Sequence, residues 1–202
     1  MCFCFPSSTT VVTKQGVKRL DEIRPGDFIL TLNKHQQQKW TKFYTWGHRE
    51  KDLSADFLKI TVVGGSEICI SENHLLFVVD KENEHAKVAK MAGQLVIGDK
   101  LYHISSTRSV TMRSIVSIIP VQLSGAYAPF TMSGTFLGNN FLVACYASVN
   151  NFKLAHAVLA PLRFWTKSTV KKDAERPEGI HGYNLALMKM RESLPTSWQT
   201  MV

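Results

Sequence analysis

The chain is built from short apolar segments, each about the length of one β-strand, separated by residues that favour turns. Strands are predicted at 9–13, 28–32, 43–46, 57–63, 67–71, 75–79, 100–104, 109–119, 128–132 and 141–149. Pro25-Gly26-Asp27, Gly64-Gly65 and Gly138-Asn139-Asn140 lie in the turns between them. The alternation continues to about Asn150, and it predicts an all-β domain.

Two stretches of this region repeat. LDEIRPGDFIL at 20–30 is echoed by AGQLVIGDKLY at 92–102, with Gly-Asp at the same place and an apolar strand after each copy. A second echo pairs GGSEICI at 64–70 with SGTFLGN at 133–139. Two copies favour a duplicated β fold with pseudo-twofold symmetry over a solenoid, which needs three or more repeats.

The apolar pattern becomes helical after Asn150, so we predict one domain at 1–150 and a short α-helical extension at 151–202. Phe152, Ala155, Leu159 and Leu162 recur at helical spacing, and Ile180, Tyr183, Leu187 and Met190 form the apolar face of a second predicted helix. Pro161 predicts an early end to the first helix, and Pro195 ends the second. These apolar faces could pack on the β domain or present a groove to a lipid.

Composition narrows the class of protein. The chain has 202 residues, is 45% hydrophobic and carries a formal charge of +8, which is enough apolar content for a real core. The basic residues are scattered and no nucleic-acid-binding module is present, so we expect no nucleic-acid partner. The four cysteines lack the spacing of a metal site, and no metal or cofactor is expected. The first residues do not read as a signal peptide, and no segment approaches the ~18 apolar residues of a membrane span.

The stretch SENHLLFVVD at 71–80 sets a serine and a histidine three residues apart against a predicted buried strand. At the edge of a core, Ser71 and His74 would be fixed and partly desolvated, which suits catalysis. An ordinary turn with a backbone-bonded serine and a structural histidine would have the same sequence.

Three further residues are candidates for acyl transfer. Cys4 lies just before the first strand, and its thiolate could attack the carbonyl of the peptide bond that precedes it, although Cys2 is a competing candidate. His48 is a candidate general base because neutral imidazole accepts a proton near neutral pH. Cys145 lies in an apolar strand, where a cysteine is usually a core residue.

These residues, taken in order, resemble the C-terminal autoprocessing domain of the Hedgehog family, which is a Hint domain of intein-like fold followed by a sterol-recognition region. The resemblance covers nearly the whole chain. The matching blocks are Cys4-Phe5-Pro6, Pro25-Gly26-Asp27, 71–78 as T-x-x-H-L-L-F-V, Ala144-Cys145-Tyr146-Ala147, 154–163, 179–181 and 194–198.

The resemblance implies a single-turnover enzyme that cleaves its own chain in two steps. Cys4 would convert the preceding peptide bond to a thioester while His74 protonates the departing nitrogen and Ser71 orients the scissile amide. A sterol hydroxyl, deprotonated by His48, would then release the upstream polypeptide as a sterol ester. Cys145 matches a cysteine that can pair with or influence the nucleophile.

The resemblance also implies the partners and the compartment. The co-substrate would be a sterol such as cholesterol, and the substrate would be the chain's own upstream polypeptide. The C-terminal helices, through Phe152, Leu159, Leu162, Ile180, Tyr183, Leu187 and Met190, would contact the sterol and a membrane surface. Processing would occur in the endoplasmic reticulum lumen of the secretory pathway, and the product would be released.

The chain departs from the family pattern at three positions. Ser71 replaces a threonine and keeps its hydroxyl, whereas Phe3 stands where a glycine usually precedes the nucleophile and would crowd the scissile bond. His48 replaces the usual aspartate base, and we expect His48→Ala to spare thioester formation while abolishing sterol transfer. The alternatives are an intein-like domain that resolves its thioester with water or another nucleophile, and a non-catalytic lipid-binding module.

Overall fold

The computed structural model describes residues 4–83, 86–147, 152, 156–157, 159–161, 163 and 178–180. Twelve strands lie within these residues, and the prediction of an all-β domain is confirmed. They are β1 (Thr10–Thr13), β2 (Gly16–Arg19), β3 (Phe28–Leu32), β4 (Gln38–Val62), β5 (Glu67–Ile70), β6 (His74–Val79), β7 (Lys87–Met91), β8 (Lys100–Ile104), β9 (Val110–Thr131), β10 (Thr135–Gly138), β11 (Phe141–Ala147) and β12 (Gly179–Ile180).

Two long antiparallel strands, β4 and β9, form the centre of the sheet. Their register runs from Phe43 opposite Thr131 to Val62 opposite Ile115. The full order is β10-β11-β6-β8-β9-β4-β3-β1-β2, with β5 and β12 also paired to β4 and β7 paired to β6. The sequence pattern predicted two short strands in place of each long one. In β4 the reason is that its middle, at 49–54, is mostly polar and at least partly exposed.

The predicted duplication is visible in the backbone of the two Gly-Asp turns. A 3₁₀ turn precedes each one, at Leu20–Glu22 and at Ala92–Gln94, and a five-residue strand, β3 or β8, follows. Gly26 and Gly98 both have a positive φ, of 109° and 93°, which a residue with a side chain rarely adopts. Each glycine N–H donates to the long strand of its own copy, at Phe43 or Ile115, over 2.8 and 2.9 Å.

The largest group of buried side chains draws on both copies. Phe5, Ile29, Tyr44, Ile60 and Phe136 are among its members, and each is almost fully buried. A smaller group around Cys4 contains Ala55, Phe57, Ala126 and Ala128. Cys4 is fully buried in this group, and three of the other members are alanines.

Part of the segment after Asn150 packs on the β domain. Phe152, His156, Ala157, Ala160, Pro161 and Arg163 have helical conformation, so Pro161 does not end the helix before itself. Leu159 is buried in the largest core group. His156 meets the Tyr146 hydroxyl at 2.5 Å, and the Arg163 guanidinium donates to the His156 carbonyl at 2.6 Å.

The prediction of a helix that includes Ile180 is wrong for that residue. Gly179 and Ile180 form β12, which pairs antiparallel with β4 at Arg49 and His48. Backbone pairing to an exposed strand edge competes with a helix for the same N–H and C=O groups. The rest of the predicted second helix, including Tyr183, Leu187 and Met190, lies outside the described residues. Within the described residues no helix is long and apolar enough to cross a membrane.

Candidate active site

The backbone of Cys4 is fixed on both sides. Phe5 forms an antiparallel bridge with Tyr127, in which each N–H donates to the other carbonyl at 2.9 Å. The Cys4 N–H donates to the Ser71 hydroxyl at 2.8 Å, and the Ser71 N–H donates to the Cys4 carbonyl at 3.0 Å. The Cys4 nitrogen belongs to the peptide bond that the thiol would attack, and the Ser71 hydroxyl contacts that nitrogen directly.

A β-bulge positions His48. Trp46 pairs with Pro129 and His48 with Ala128, so Gly47 is the extra residue on β4. Bulges increase the local twist and redirect the next side chain, and they are common beside active sites. The His48 ring meets the nucleophile, with 2.9 Å between its Nδ1 and the Cys4 Sγ. The structure therefore brings together two candidates that are 44 residues apart in sequence.

Glu50 is a functional candidate that the sequence analysis missed. One of its carboxylate oxygens, Oε2, lies 3.2 Å from the Nε2 of His48, so the imidazole is held between a thiol and a carboxylate. Residues two apart on a strand share a face, and the H-x-E pattern at 48–50 is the signal that could have identified this pair. An exposed glutamate in a polar strand segment has no other distinguishing feature.

His74 is fully buried at the start of β6. Its Nε2–H donates to the Ala144 carbonyl at 3.0 Å, and its ring lies edge-on to Phe5 at a centroid distance of 4.4 Å. The His74 N–H also closes the turn back to the Ser71 carbonyl at 3.0 Å. The short motif from Ser71 to His74 thus places the Ser71 hydroxyl on the Cys4 N–H and the His74 ring against the Phe5 ring.

Cys145 is buried in the largest core group. Its Sγ lies 3.4 Å from the Thr131 hydroxyl. Burial raises the pKa of Cys145 to about 12, so it remains protonated at neutral pH. Its predicted role as a redox partner of Cys4 stays a prediction, and burial disfavours the thiolate that such a role needs.

A groove of about 480 Å³ opens beside the site. His48 and Ser71 form one wall, and the apolar part of its lining includes Leu53, Phe57, Leu58 and Pro120. Asp56 and Glu72 also lie on its border. An apolar molecule with one polar group could place that group against His48 and the rest of its surface along β4.

The residues predicted to contact the sterol fall into three groups: two that pack on the β domain, four outside the described residues, and Ile180. Leu159 is buried in the core, and Phe152 packs edge-on to Phe77 at 5.3 Å, so both support the β domain. Leu162, Tyr183, Leu187 and Met190 lie outside the described residues. The backbone of Ile180 pairs with His48 itself, which puts Gly179–Ile180 next to the candidate site.

The duplicated β fold agrees with the comparison with known families. The family model described as "Hint module" matches residues 1–195, so the chain belongs to the Hint module family. Protein hedgehog of Drosophila yakuba is 27% identical over 97% of this chain and 46% of the relative. Warthog protein 4 of Caenorhabditis elegans is 28% identical over 91% of this chain and 35% of the relative. The resemblance inferred from sequence is confirmed, and the chain spans less than half the length of both relatives.

Solved structures share the fold. The gp41-1 intein has a TM-score of 0.55 and 21% identity, and the match covers 71% of this chain and 99% of the intein. A bacterial intein-like domain from Clostridium thermocellum has a TM-score of 0.56 and 19% identity, with coverage of 71% and 99%. The predicted intein-like Hint fold is therefore confirmed for the β domain.

Proposed function

We propose that this chain is a self-cleaving sterol transferase. The observation that carries the proposal is the double contact of Cys4: its amide N–H donates to Ser71, and its thiol meets His48 at 2.9 Å. The Cys4 thiol, which is the proposed nucleophile, thus contacts His48. The Cys4 backbone nitrogen, which is the proposed leaving group, contacts Ser71. Such an arrangement suits an N-to-S acyl shift at the peptide bond that precedes Cys4.

In the first step the Cys4 sulfur attacks the carbonyl carbon of residue 3, and the bond from that carbon to the Cys4 nitrogen breaks. Ser71 keeps the scissile amide in register for the attack. His74, next to Phe5, supplies the proton that the departing nitrogen needs to leave as an amine. The product is a thioester between the upstream polypeptide and Cys4.

In the second step a sterol hydroxyl in the groove attacks the thioester carbonyl. Neutral His48 takes the hydroxyl proton, the carbon–sulfur bond breaks, and the upstream polypeptide leaves as its sterol ester. The apolar lining from Leu53 to Leu58 and the pairing of β12 to His48 support a C-terminal region that presents the sterol at this groove. Processing in the endoplasmic reticulum lumen, with residues 151–202 at its membrane surface, belongs to the same proposal.

A reporter ending in glycine, fused directly before Cys4 of the full chain, tests the proposal. We expect release with cholesterol to give a sterol-modified reporter, read as a mass increase, and release with dithiothreitol to give an unmodified one. Release by thiol alone would support an intein-like domain that uses another nucleophile. No release under either condition would support a non-catalytic lipid-binding module.

Two cysteine variants control the experiment. Cys4→Ala removes the nucleophile and should abolish both reactions. Cys69→Ala is the matched control, because Cys69 is a second cysteine and lies on β5, next to β4. Loss of cleavage in Cys69→Ala but not in Cys4→Ala would contradict the assignment of the nucleophile.

A further inference from the structure

We propose that Cys4, His48 and Glu50 form a relay that activates the Cys4 thiol in the first step, with Glu50 as the positioning residue. This inference rests on the thioester chemistry of the proposed function, but not on the identity of the second nucleophile. It gives His48 a role before sterol transfer and assigns a role to a carboxylate that neither the sequence analysis nor the two-step scheme uses.

The two contacts of His48 fix its tautomer. A carboxylate can only accept hydrogen bonds, so the Nε2 that faces Glu50 at 3.2 Å must carry the ring hydrogen. In a neutral imidazole the other nitrogen then has a free lone pair. That nitrogen, Nδ1, is the one that lies 2.9 Å from the Cys4 Sγ, so the thiol donates to it.

The geometry resembles the general arrangement in which a nucleophile meets a base and the base is oriented by a third group. His48 is mostly buried, with 13% of its side chain exposed, whereas Glu50 is 42% exposed. The base is thus held in a partly desolvated position next to the thiol, and the carboxylate reaches it from the solvent side. An aspartate base would need no such partner, since a carboxylate has no tautomers to select.

Two protons move in this step, one away from the thiol and one to the departing nitrogen. As the sulfur attacks, the thiol proton moves to Nδ1 of His48, and Glu50 stabilises the imidazolium that forms. The sulfur–carbon bond forms, the carbon–nitrogen bond breaks, and the nitrogen takes a proton from Nδ1 of protonated His74, whose Nε2–H stays on the Ala144 carbonyl. His74 regains that proton from solvent after the step. His48 then loses its extra proton to solvent and is neutral again before the second nucleophile arrives.

The test measures the first step alone. The reporter fusion described above is cleaved with saturating dithiothreitol, which intercepts the thioester, and the single-turnover rate is recorded. We expect His48→Ala to slow cleavage about 100-fold, as is typical for the loss of a general base. This result would reverse the expectation from sequence that His48→Ala spares thioester formation. We expect Glu50→Gln to slow cleavage about fivefold, because its carboxylate is partly exposed.

Two readouts separate positioning from a merely structural effect. The double variant His48→Ala/Glu50→Gln should be no slower than His48→Ala, because Glu50 acts only through the imidazole. Added imidazole should accelerate His48→Ala and should not need Glu50 to do so. Glu67→Gln is the matched control: Glu67 is 44% exposed, on the strand β5 beside β4, and it pairs with Lys59 at 3.3 Å.

The outcomes distinguish this inference from the function on which it rests. If the unaltered chain cleaves with thiol but Glu50→Gln behaves like Glu67→Gln, the relay is refuted and the proposed function stands. The same holds if His48→Ala keeps its full rate, or if the two substitutions multiply in the double variant. If the unaltered chain does not cleave with thiol at all, the thioester mechanism itself is overturned.

Discussion

Ser71 and Cys4 exchange two hydrogen bonds in a fully buried setting, and this pair is the most direct test of the site at the scale of single residues. Ser71→Ala leaves the scissile N–H without its acceptor, which costs about 1–3 kcal/mol for a buried backbone donor. We expect thiol-dependent cleavage of the reporter fusion to slow about tenfold and the free energy of unfolding in urea to fall by about 1–2 kcal/mol.

Ser71→Thr is the control for that prediction, because it keeps the hydroxyl that accepts from Cys4. Ser71 is only 2% exposed, so the added methyl group must fit against its buried neighbours. We expect a cleavage rate within a factor of about three of the unaltered chain, corresponding to less than 1 kcal/mol in the barrier. If Ser71→Ala cleaves as fast as Ser71→Thr, the hydroxyl has no part in holding the scissile amide.

Candidate site residues could be predicted from sequence where they lie close together in one short motif. Ser71 and His74 lie in one short motif before an apolar strand, and the strand edge follows from the pattern itself. Glu50 could not be found in that way, because its significance depends on the direction in which the bulge at Gly47 turns His48. The burial of Cys145 was expected for an apolar strand, but its contact with Thr131 was not.

The two Gly-Asp turns provide a prediction at the scale of structural elements. Asp99 accepts from the Val96 N–H at 3.1 Å and pairs with Lys90 at 2.7 Å and Lys81 at 3.3 Å, and it is 4% exposed. We expect Asp99→Asn to lower the free energy of unfolding by about 2 kcal/mol at pH 7, because a buried carboxylate between two lysines is lost. Urea unfolding followed by tryptophan fluorescence measures the difference.

The duplicated fold supplies a matched control in Asp27. This residue accepts from the Arg24 N–H at 3.0 Å, but it faces a lysine only at 3.6 Å, on the more exposed side of the turn. We expect Asp27→Asn to cost less than about 1 kcal/mol, as is usual for an exposed ion pair. Equal losses for the two variants would mean that the turn geometry, rather than the charge, determines the stability at both sites.

The effect of Asp99 should also depend on pH. Burial by itself would raise the pKa of Asp99, but the hydrogen bonds from Lys90, Val96 and Lys81 outweigh it and hold the pKa below its ordinary 3.8. A carboxyl group with a lowered pKa stabilises the folded state above its ordinary pKa, and this stabilisation is lost as the pH falls through the folded value. The difference between the unaltered chain and Asp99→Asn should therefore narrow between pH 7 and pH 3. A difference that stays constant would contradict the role of the charge.

The strands that could be predicted from sequence were those with a strong apolar pattern. The strands β3, β6 and β8 have strong apolar runs and were predicted with boundaries within one residue. The edge strands β2 and β7 were missed, because all of their residues are at least partly exposed and neither strand has a long apolar run. Their backbone pairing depends on neighbours distant in sequence rather than on their own side chains.

At the scale of the whole molecule, the pairing of β4 with β9 and of β12 with β4 could not be predicted from the sequence. These pairings join segments separated by tens of residues, and nothing in their local composition selects one partner strand over another. The repeat at 20–30 and 92–102 did indicate two related copies, which limits the possible topologies. No sequence pattern predicted the contact between β12 and His48 on β4.

The packing of Leu159 indicates that the β domain and the segment after Asn150 unfold together, although the sequence suggests a boundary between them. Leu159 is 6% exposed in the largest core group, and Tyr146 and His156 join the same two parts by a hydrogen bond. We expect Leu159→Ala to cost about 2–3 kcal/mol and to lower a single calorimetric transition by about 4–10 °C. Ala157→Ser, at an exposed position of the same segment, should leave the transition within about 1 °C, as is usual for an exposed substitution.

A main transition unchanged by Leu159→Ala, or a separate second transition that alone responds to it, would show that the extension folds as an independent unit. In that case its position beside His48 could not be maintained by the core, and the presentation of a second nucleophile at the groove would have to depend on the pairing of β12 alone.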